Sequence, residues 1–334
     1  MASLPRIRRV RLPRRVAVPP PQRAERTEPD VRRVEAFGLT WLNIEAPTAV
    51  DTAWLAENFD FHPLDYEDVL SRRQQRSKID EYDDYLFIVL HFPRFDKRTQ
   101  RLQPAELDMF VAEDLVITLP NEPLKPLSAL FAACEARAEE RERNMSRGSG
   151  YLVYEIVDRM FDYCFPILNK IGHKLDVLED VIFEGRSDEA VRDISNVKQE
   201  IINYRKTIKP QRPTLRQLDR VTDRYTPQDL EIYFDDIVDK NERIWDELEN
   251  YKEVAEALDA TNESVLRNRL NDLIRVLTLL SAVLLPLTLI TGFYGMNTEG
   301  LPFRSHWWAP LLILSWMAVI VVVLLWYFRR KRWL

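Results

Sequence analysis

"TGFYGMNTEGLPF" (residues 291–303) interrupts the most apolar part of the chain and carries three of its eight glycines. Working outward from it, residues 276–298 contain no Asp, Glu, Lys or Arg, and neither do residues 305–328. These runs of 23 and 24 residues each exceed the roughly 20 that a helix needs to cross a ~30 Å hydrocarbon core. They are read as two membrane spans joined by an outer loop at 299–304. Flanking charge orients them. Arg267, Arg269 and Arg275 precede the first span, and a basic C-terminus at 329–334 (Arg329, Arg330, Lys331, Arg332) follows the second. The loop holds only Glu299 and Arg304. The positive-inside rule therefore places both termini in the cytoplasm and the quoted turn at the outer mouth of a hairpin. Trp307, Trp308, Trp326 and Trp333 suit the two interfacial belts.

Charge divides the remainder. Residues 1–36 hold ten Arg and four acids and read as a disordered basic, Pro-rich tail, with a loose electrostatic contact to anionic headgroups as the alternative. No apolar core of signal-peptide length occurs there. Residues 37–260 hold 29 basic and 46 acidic side chains, a net of −17. A basic arm, an acidic body and a basic, apolar end do not describe a nucleic-acid binder. Cys134 and Cys164 form no metal-binding pattern, and a reduced cytosolic body is the simpler reading. The four His have no metal spacing, the sparse glycines rule out nucleotide-binding loops, and no acid pair suggests an enzyme.

The body has a mixed pattern. "FGLTWLNIE" (37–45), "YLFIVLHF" (85–92), "ELDMFVA" (106–112) and "DLVITLP" (114–120) are strand-like, the last two forming a hairpin across Glu113-Asp114. "TAVDTAWLAENF" (48–59) and "HPLDYEDVLS" (62–71) read as helices. Further helices are expected over 127–147, 151–184 (ended by Gly185) and 188–208, with a break at Pro210/Pro213. A stalk helix is expected to start at Thr226-Pro227 and run over about 227–292. Its apolar residues recur at heptad-like spacing through Leu230, Phe234, Ile237, Ile244, Leu248, Tyr251, Ala255, Leu258, Val265, Leu273 and Leu277. At 1.5 Å per residue it would be about 100 Å long.

Two helices cannot enclose a water-filled path, so the hairpin either anchors the protein or oligomerises. Residues 274, 277/278, 281, 285, 288, 292 and 295 share one helical stripe, which includes Thr278, Ser281, Thr288, Gly292 and Gly295. Small and hydroxyl residues on one stripe suit close packing in lipid. Asn297 favours a pore over packing alone, because a carboxamide at the end of a span needs water, another helix or an ion's hydration shell. A ring of Asn oxygens would offer neutral, hard acceptors to hydrated Mg²⁺, whereas soft metals would call for Cys, His or Met; only Met296 is near.

At this point "YGMN" (294–297), after a Pro-containing span and "LPLTLITGF", resembles the CorA family of divalent-cation channels. "HPLDYEDVL" with "RSKIDEYDDYLFIVL" (62–90) and the ending "YFRRKRWL" (327–334) extend the resemblance over about 40–334. It implies an α+β membrane protein: an N-terminal α/β/α cytoplasmic domain, a long stalk helix and two C-terminal transmembrane helices, assembled as a funnel-shaped homopentamer. Gly295, Met296 and Asn297 would form the selectivity filter. Thr288 would line the pore with Ser281, and Leu285, Leu277 and Ile274 would form its hydrophobic constriction, with Asn271 and Asn268 lower in the stalk. Glu67 and Asp68 on one subunit and Asp236 on its neighbour would bind regulatory Mg²⁺. The transported ion would be Mg²⁺, driven inward across a bacterial inner membrane by the membrane potential, with no organic cofactor. Two departures stand out. The outer loop reads "TEGLPF", with Glu299 nearer the membrane than in the acidic "MPEL" of many members. Ala260, beside Asp259, stands where many have an acid. The alternatives are a Co²⁺, Ni²⁺ or Zn²⁺ transporter of the same family and, from another class, a membrane-anchored cytoplasmic adapter.

Overall fold

The structure, a computed structural model, describes residues 27–334 apart from 72–74, 97, 99–100, 186, 223–229, 297–307 and 332–334. The chain divides into two compact units: residues 1–170 with 200–249, and residues 171–199 with 250–334.

The first unit is built on six strands, β1 (Arg32–Ala36), β2 (Leu39–Asn43), β3 (Lys78–Glu81), β4 (Leu86–Asp96), β5 (Arg101–Val111) and β6 (Leu115–Pro120). Their order is β1-β2-β6-β5-β4-β3; β2 and β6 run parallel and the other neighbours antiparallel. Alternation along the strands feeds two layers of helices. On one face Leu42, Ile44, Phe87, Val89 and Phe110 pack with Leu55 and Val69, from helices α1 (Ala49–Asn58) and α2 (Pro63–Leu70). On the other, Trp41 meets Phe131 at 4.8 Å between ring centroids and Phe92 meets Phe161 at 5.5 Å. Those partners come from α3 (Lys125–Ala136) and α5 (Ser149–Phe183), so the unit is an α/β/α sandwich. Between them α4 covers Ala138–Met145, and the chain breaks from helix at Arg137 (φ −128°, ψ 128°), where the pattern suggests one helix over 127–147.

The edge strands are where sequence and structure differ. β1 is "RRVEA" and β3 is "KIDE"; their charges protect a sheet edge from other chains and hide the strands from a hydrophobicity reading. The basic arm therefore gives way to sheet at Arg32, ahead of the boundary at residue 36, while residues 1–26 lie outside the described residues. Phe37 and Gly38 both have positive φ (54° and 78°). They form a two-residue hairpin turn whose twist matches the flanking strands, rather than the start of a strand.

After α5 come α6 (Ser187–Ile208), a 3₁₀ turn (Lys209–Gln211) and α7 (Arg212–Thr222). Pro210 and Pro213 do not end helical structure, because each sits in the first turn of its element, where a missing N–H costs nothing. The expected helix start at Thr226-Pro227 lies outside the described residues; α8 covers Glu231–Gly295 and α9 covers Ala309–Arg330. Cys134 and Cys164 are free and buried, and burial pushes their thiols up to about 11 and about 12.

In the second unit Ile171, Leu175, Leu178, Ile182, Ile194, Val197, Ala255 and Leu258 are buried. Gly172 lets α5 approach α8 closely: a Cβ there would lie 2.5 Å from the Tyr251 hydroxyl. Burial along α8 fades beyond Asn262, and every residue from Arg267 to Thr278 is exposed.

Candidate ion path and cation-binding residues

The membrane half of α8 has two distinct stripes. Residues 279, 282, 283, 286, 287, 290 and 294 are half-buried, whereas 274, 277, 278, 281, 285, 288, 292 and 295 are exposed. At 100° per residue the two stripes lie about half a turn apart. The face rich in small and hydroxyl side chains lies opposite the half-buried stripe and is exposed together with the flanking Leu280, Leu284 and Leu289. A Cβ placed on Gly292 or Gly295 would meet nothing within 4 Å. Packing among the described residues gives no reason for either glycine.

Hydroxyl chemistry sharpens the stripe. On the stripe, Thr278 Oγ1 donates to the Ile274 carbonyl at 2.7 Å and Thr288 Oγ1 to the Leu284 carbonyl at 2.8 Å, and off the stripe Thr291 Oγ1 does the same to the Leu287 carbonyl at 3.0 Å. Each proton is spent on its own helix, so the oxygen lone pairs remain for an outside donor or a hydrated cation. Pro286 lies inside the helix and frees the Ala282 carbonyl without ending it. Helix α8 stops at Gly295, and the Met296 N–H donates to the Phe293 carbonyl at 3.4 Å. Asn297 and Glu299, with the outer loop, lie outside the described residues. Asn268 and Asn271 are exposed on the stalk below.

At the far end of α9, Arg329 and Arg330 occupy the last turn with Lys331 as C-cap, where cations complement the helix dipole; Arg332 lies outside the described residues. The Arg330 guanidinium stacks over Trp326, 5.5 Å from the ring centroid. α9 and the C-terminal part of α8 are long and apolar enough to span a bilayer and are almost wholly unburied. The chain is an integral membrane protein.

The acids of the first unit are positioned by buried neighbours. On α2, Asp65 is buried and accepts from Tyr85 Oη at 2.8 Å and Tyr82 Oη at 3.1 Å. Burial raises its carboxyl above the usual range despite those bonds. Pinned by Asp65 and the buried Val69, α2 presents Glu67 as exposed and Asp68 as half-buried. On α8, Asp236 is exposed between the buried Phe234 and Ile237.

Two of these acids already hold a cation, which the sequence reading missed. Lys78 Nζ donates to Asp68 Oδ2 at 2.8 Å and also bonds Asp80, while Gln75 Nε2 donates to Asp68 Oδ1 at 2.7 Å. Lys240 Nζ contacts Asp158 at 2.5 Å, Asp162 at 2.9 Å and Asp236 at 3.4 Å. Burial pulls both lysines down, and the carboxylates outweigh it and raise them. The i, i+4 spacings of Asp236–Lys240 and Asp158–Asp162 are legible in sequence; the meeting of α5 with α8 is not. Asp259, beside Ala260, is held by Lys198 at 2.8 Å.

As hard oxygen donors, Glu67, Asp68 and Asp236 suit Mg²⁺ chemically, and Asp68 and Asp236 each accept an ammonium. Among the described residues no group of three acids, His or Cys could hold a metal ion within one chain.

Comparison with known proteins agrees with this architecture. The sequence profile described as "CorA-like Mg2+ transporter protein" matches residues 37–330. A cobalt/magnesium transport protein CorA of Thermotoga maritima is 30% identical over 297 residues, covering 88% of this chain and 83% of the relative. The fold matches the CorA magnesium transporter from Methanocaldococcus jannaschii with a TM-score of 0.78 at 21% identity, over 90% of this chain and 93% of that one. It also matches the full-length CmaX protein with a TM-score of 0.69 at 21% identity, over 88% and 89%. The chain belongs to the CorA family of divalent-metal transporters, and its work is to carry divalent cations through a membrane rather than to catalyse a reaction.

Proposed function

We propose that the chain is a Mg²⁺ channel in which five copies enclose a path along the exposed stripe of α8. The observation that carries this is the placement of Thr278, Ser281, Thr288, Gly292 and Gly295 opposite the half-buried stripe, with threonine protons turned inward. Leu270, Leu273, Ile274 and Leu277 are all exposed at i, i+3, i+4 and i+7, the seam by which helices associate. They support self-association around that path. Gly295, Met296 and Asn297 of each copy make the outer filter, where Asn oxygens receive the ion with its water shell. Ile274, Leu277 and Leu285 form an apolar constriction that gates by dewetting. Both termini face the cytoplasm of a bacterial inner membrane. Two charges moving through 100 mV gain about 4.6 kcal/mol, so uptake needs no pump.

Glu67 and Asp68 of one copy and Asp236 of the next would hold regulatory Mg²⁺. Bound there, the ion supplies positive charge between bodies that each carry a net −17.

The test is Mg²⁺ uptake into liposomes under an inside-negative potential, with internal Mg²⁺ kept low. Wild type is expected to conduct and Asn297→Ala to lose conduction. Equal uptake by the two would overturn the filter assignment. The Thermotoga maritima relative is named for cobalt as well as magnesium, so competition by Co²⁺, Ni²⁺ and Zn²⁺ is read in the same assay. Saturable uptake of one of these with Mg²⁺ excluded would replace Mg²⁺ as the cargo.

A further inference from the structure

We propose that Lys78 and Lys240 are tethered counter-ions that set the divalent-ion threshold of the cytoplasmic sensor, by holding Asp68 and Asp236 whenever no divalent ion is bound. The inference rests on the reading of Glu67, Asp68 and Asp236 as cation-holding residues and adds how they are regulated.

Each half of that sensor has its own ammonium, and each ammonium has further carboxylates to keep. Lys78 bridges Asp68 and Asp80, with its Nζ 5.3 Å from the centroid of the Phe87 ring, which fixes its position. Lys240 bridges Asp236 with Asp158 and Asp162. When a divalent ion takes Asp68, Lys78 retains Asp80; when it takes Asp236, Lys240 retains two acids. Neither lysine is left as an unpaired, half-buried charge, so the exchange avoids the large penalty of breaking a buried pair outright. The divalent ion still has to displace an ammonium at both places. Its apparent affinity is therefore lower than bare carboxylates would give, and the lysines also cancel part of the repulsion that an acidic body would otherwise feel without divalent ions.

The two holds differ in strength. Asp68 is gripped at both oxygens, by Lys78 at 2.8 Å and Gln75 at 2.7 Å, and its side chain is 25% exposed. Asp236 is 3.4 Å from Lys240 and 57% exposed. Glu67 is exposed and none of its contacts among the described residues is an ion pair. Removing Lys78 should therefore change the threshold more than removing Lys240.

The experiment uses the full chain in detergent and titrates Mg²⁺, reading protection from chymotrypsin and the rise in melting temperature. Lys78→Met and Lys240→Met remove the charge and keep the stem; Lys78→Arg and Lys240→Arg keep the charge. Lys198→Met, which frees Asp259 outside the sensor, is the control. The midpoint is expected to fall about fivefold in Lys78→Met, the scale of one partly buried ion pair. A smaller fall is expected in Lys240→Met, and none in the Arg variants or the control. Asp68→Asn and Asp236→Asn should raise the midpoint. Wild-type midpoints in both Met variants, with the Asn variants raised, would overturn the lysine inference and leave the sensor standing. Unchanged midpoints in the Asn variants would sink the sensor and this inference with it. Should Lys78→Met fail to fold, Lys78→Gln and Lys240→Met decide the matter by the same readings.

Discussion

Two side chains at the residue scale have roles that chemistry makes testable. Asp108 on β5 is buried, and its Oδ1 has no partner among the described residues. Burial first, then the charges of Glu106 and Asp68, raise its carboxyl well above the ordinary range, with Lys78 pulling the other way. The folded chain therefore keeps this proton at pH values where the unfolded chain has lost it, and stability declines as pH rises from about 4. Asp108→Asn removes that slope and should stabilise the protein on the order of 1–3 kcal/mol at pH 8, with a smaller gain at pH 5. Melting temperatures at the two pH values give the answer, and equal gains would refute the assignment. Thr288 offers the second case. If its outward oxygen helps a hydrated ion through, Thr288→Val should cut Mg²⁺ flux about tenfold, equivalent to ~1.4 kcal/mol. Thr288→Ser, which keeps the oxygen, should not. Loss of flux in both would point to the methyl group and to packing.

For the elements, α8 and the strands show opposite degrees of legibility. α8 announces its long apolar course in heptad spacing, and Leu230, Phe234, Ile237, Ile244, Leu248, Ala255 and Leu258 are all buried. The same spacing continues through Leu273 and Leu277, which are exposed; sequence periodicity cannot say whether a stripe meets its own chain, a second copy or lipid. The edge strands β1 and β3 are invisible for the opposite reason, since their charges answer to solvent. Contacts between helices are harder still to foresee. Gly172 reads as an ordinary helical glycine until Tyr251 is found over it. Gly172→Ala should lower stability by about 1–3 kcal/mol through overpacking, and Tyr251→Phe in the same chain should recover part of the loss. A melting temperature unaffected by Gly172→Ala would mean that the tyrosine swings aside at no cost.

For the whole molecule, the exposed seam of α8 bears on assembly. One chain of 39.5 kDa leaves Leu270, Leu273 and Leu277 uncovered where α8 enters its uncharged run. Exposed apolar residues in helical register are a place for copies to meet. Light scattering in detergent should report a protein mass near five times that of the chain. Leu273→Glu, which sets like charges against one another on the seam, should shift it to smaller species. A mass unaltered by Leu273→Glu would place the contacts elsewhere.

Much of this protein was determined by local sequence. Two uncharged runs of membrane length, the small-residue stripe and the order of helices and central strands each follow from patterns within a few turns of chain. The physical reason is that lipid and the sheet core each demand continuous apolar sequence, which composition records directly. What only the tertiary structure decided are the meetings between distant segments. Lys78 crosses from β3 to Asp68 on α2, Lys240 reaches from α8 to Asp158 and Asp162 on α5, and the half-buried stripe of α8 selects which face is left open. Such pairings depend on packing between elements tens of residues apart. A lysine four residues from an aspartate looks in sequence like any surface ion pair. Only the fold makes it the keeper of three carboxylates.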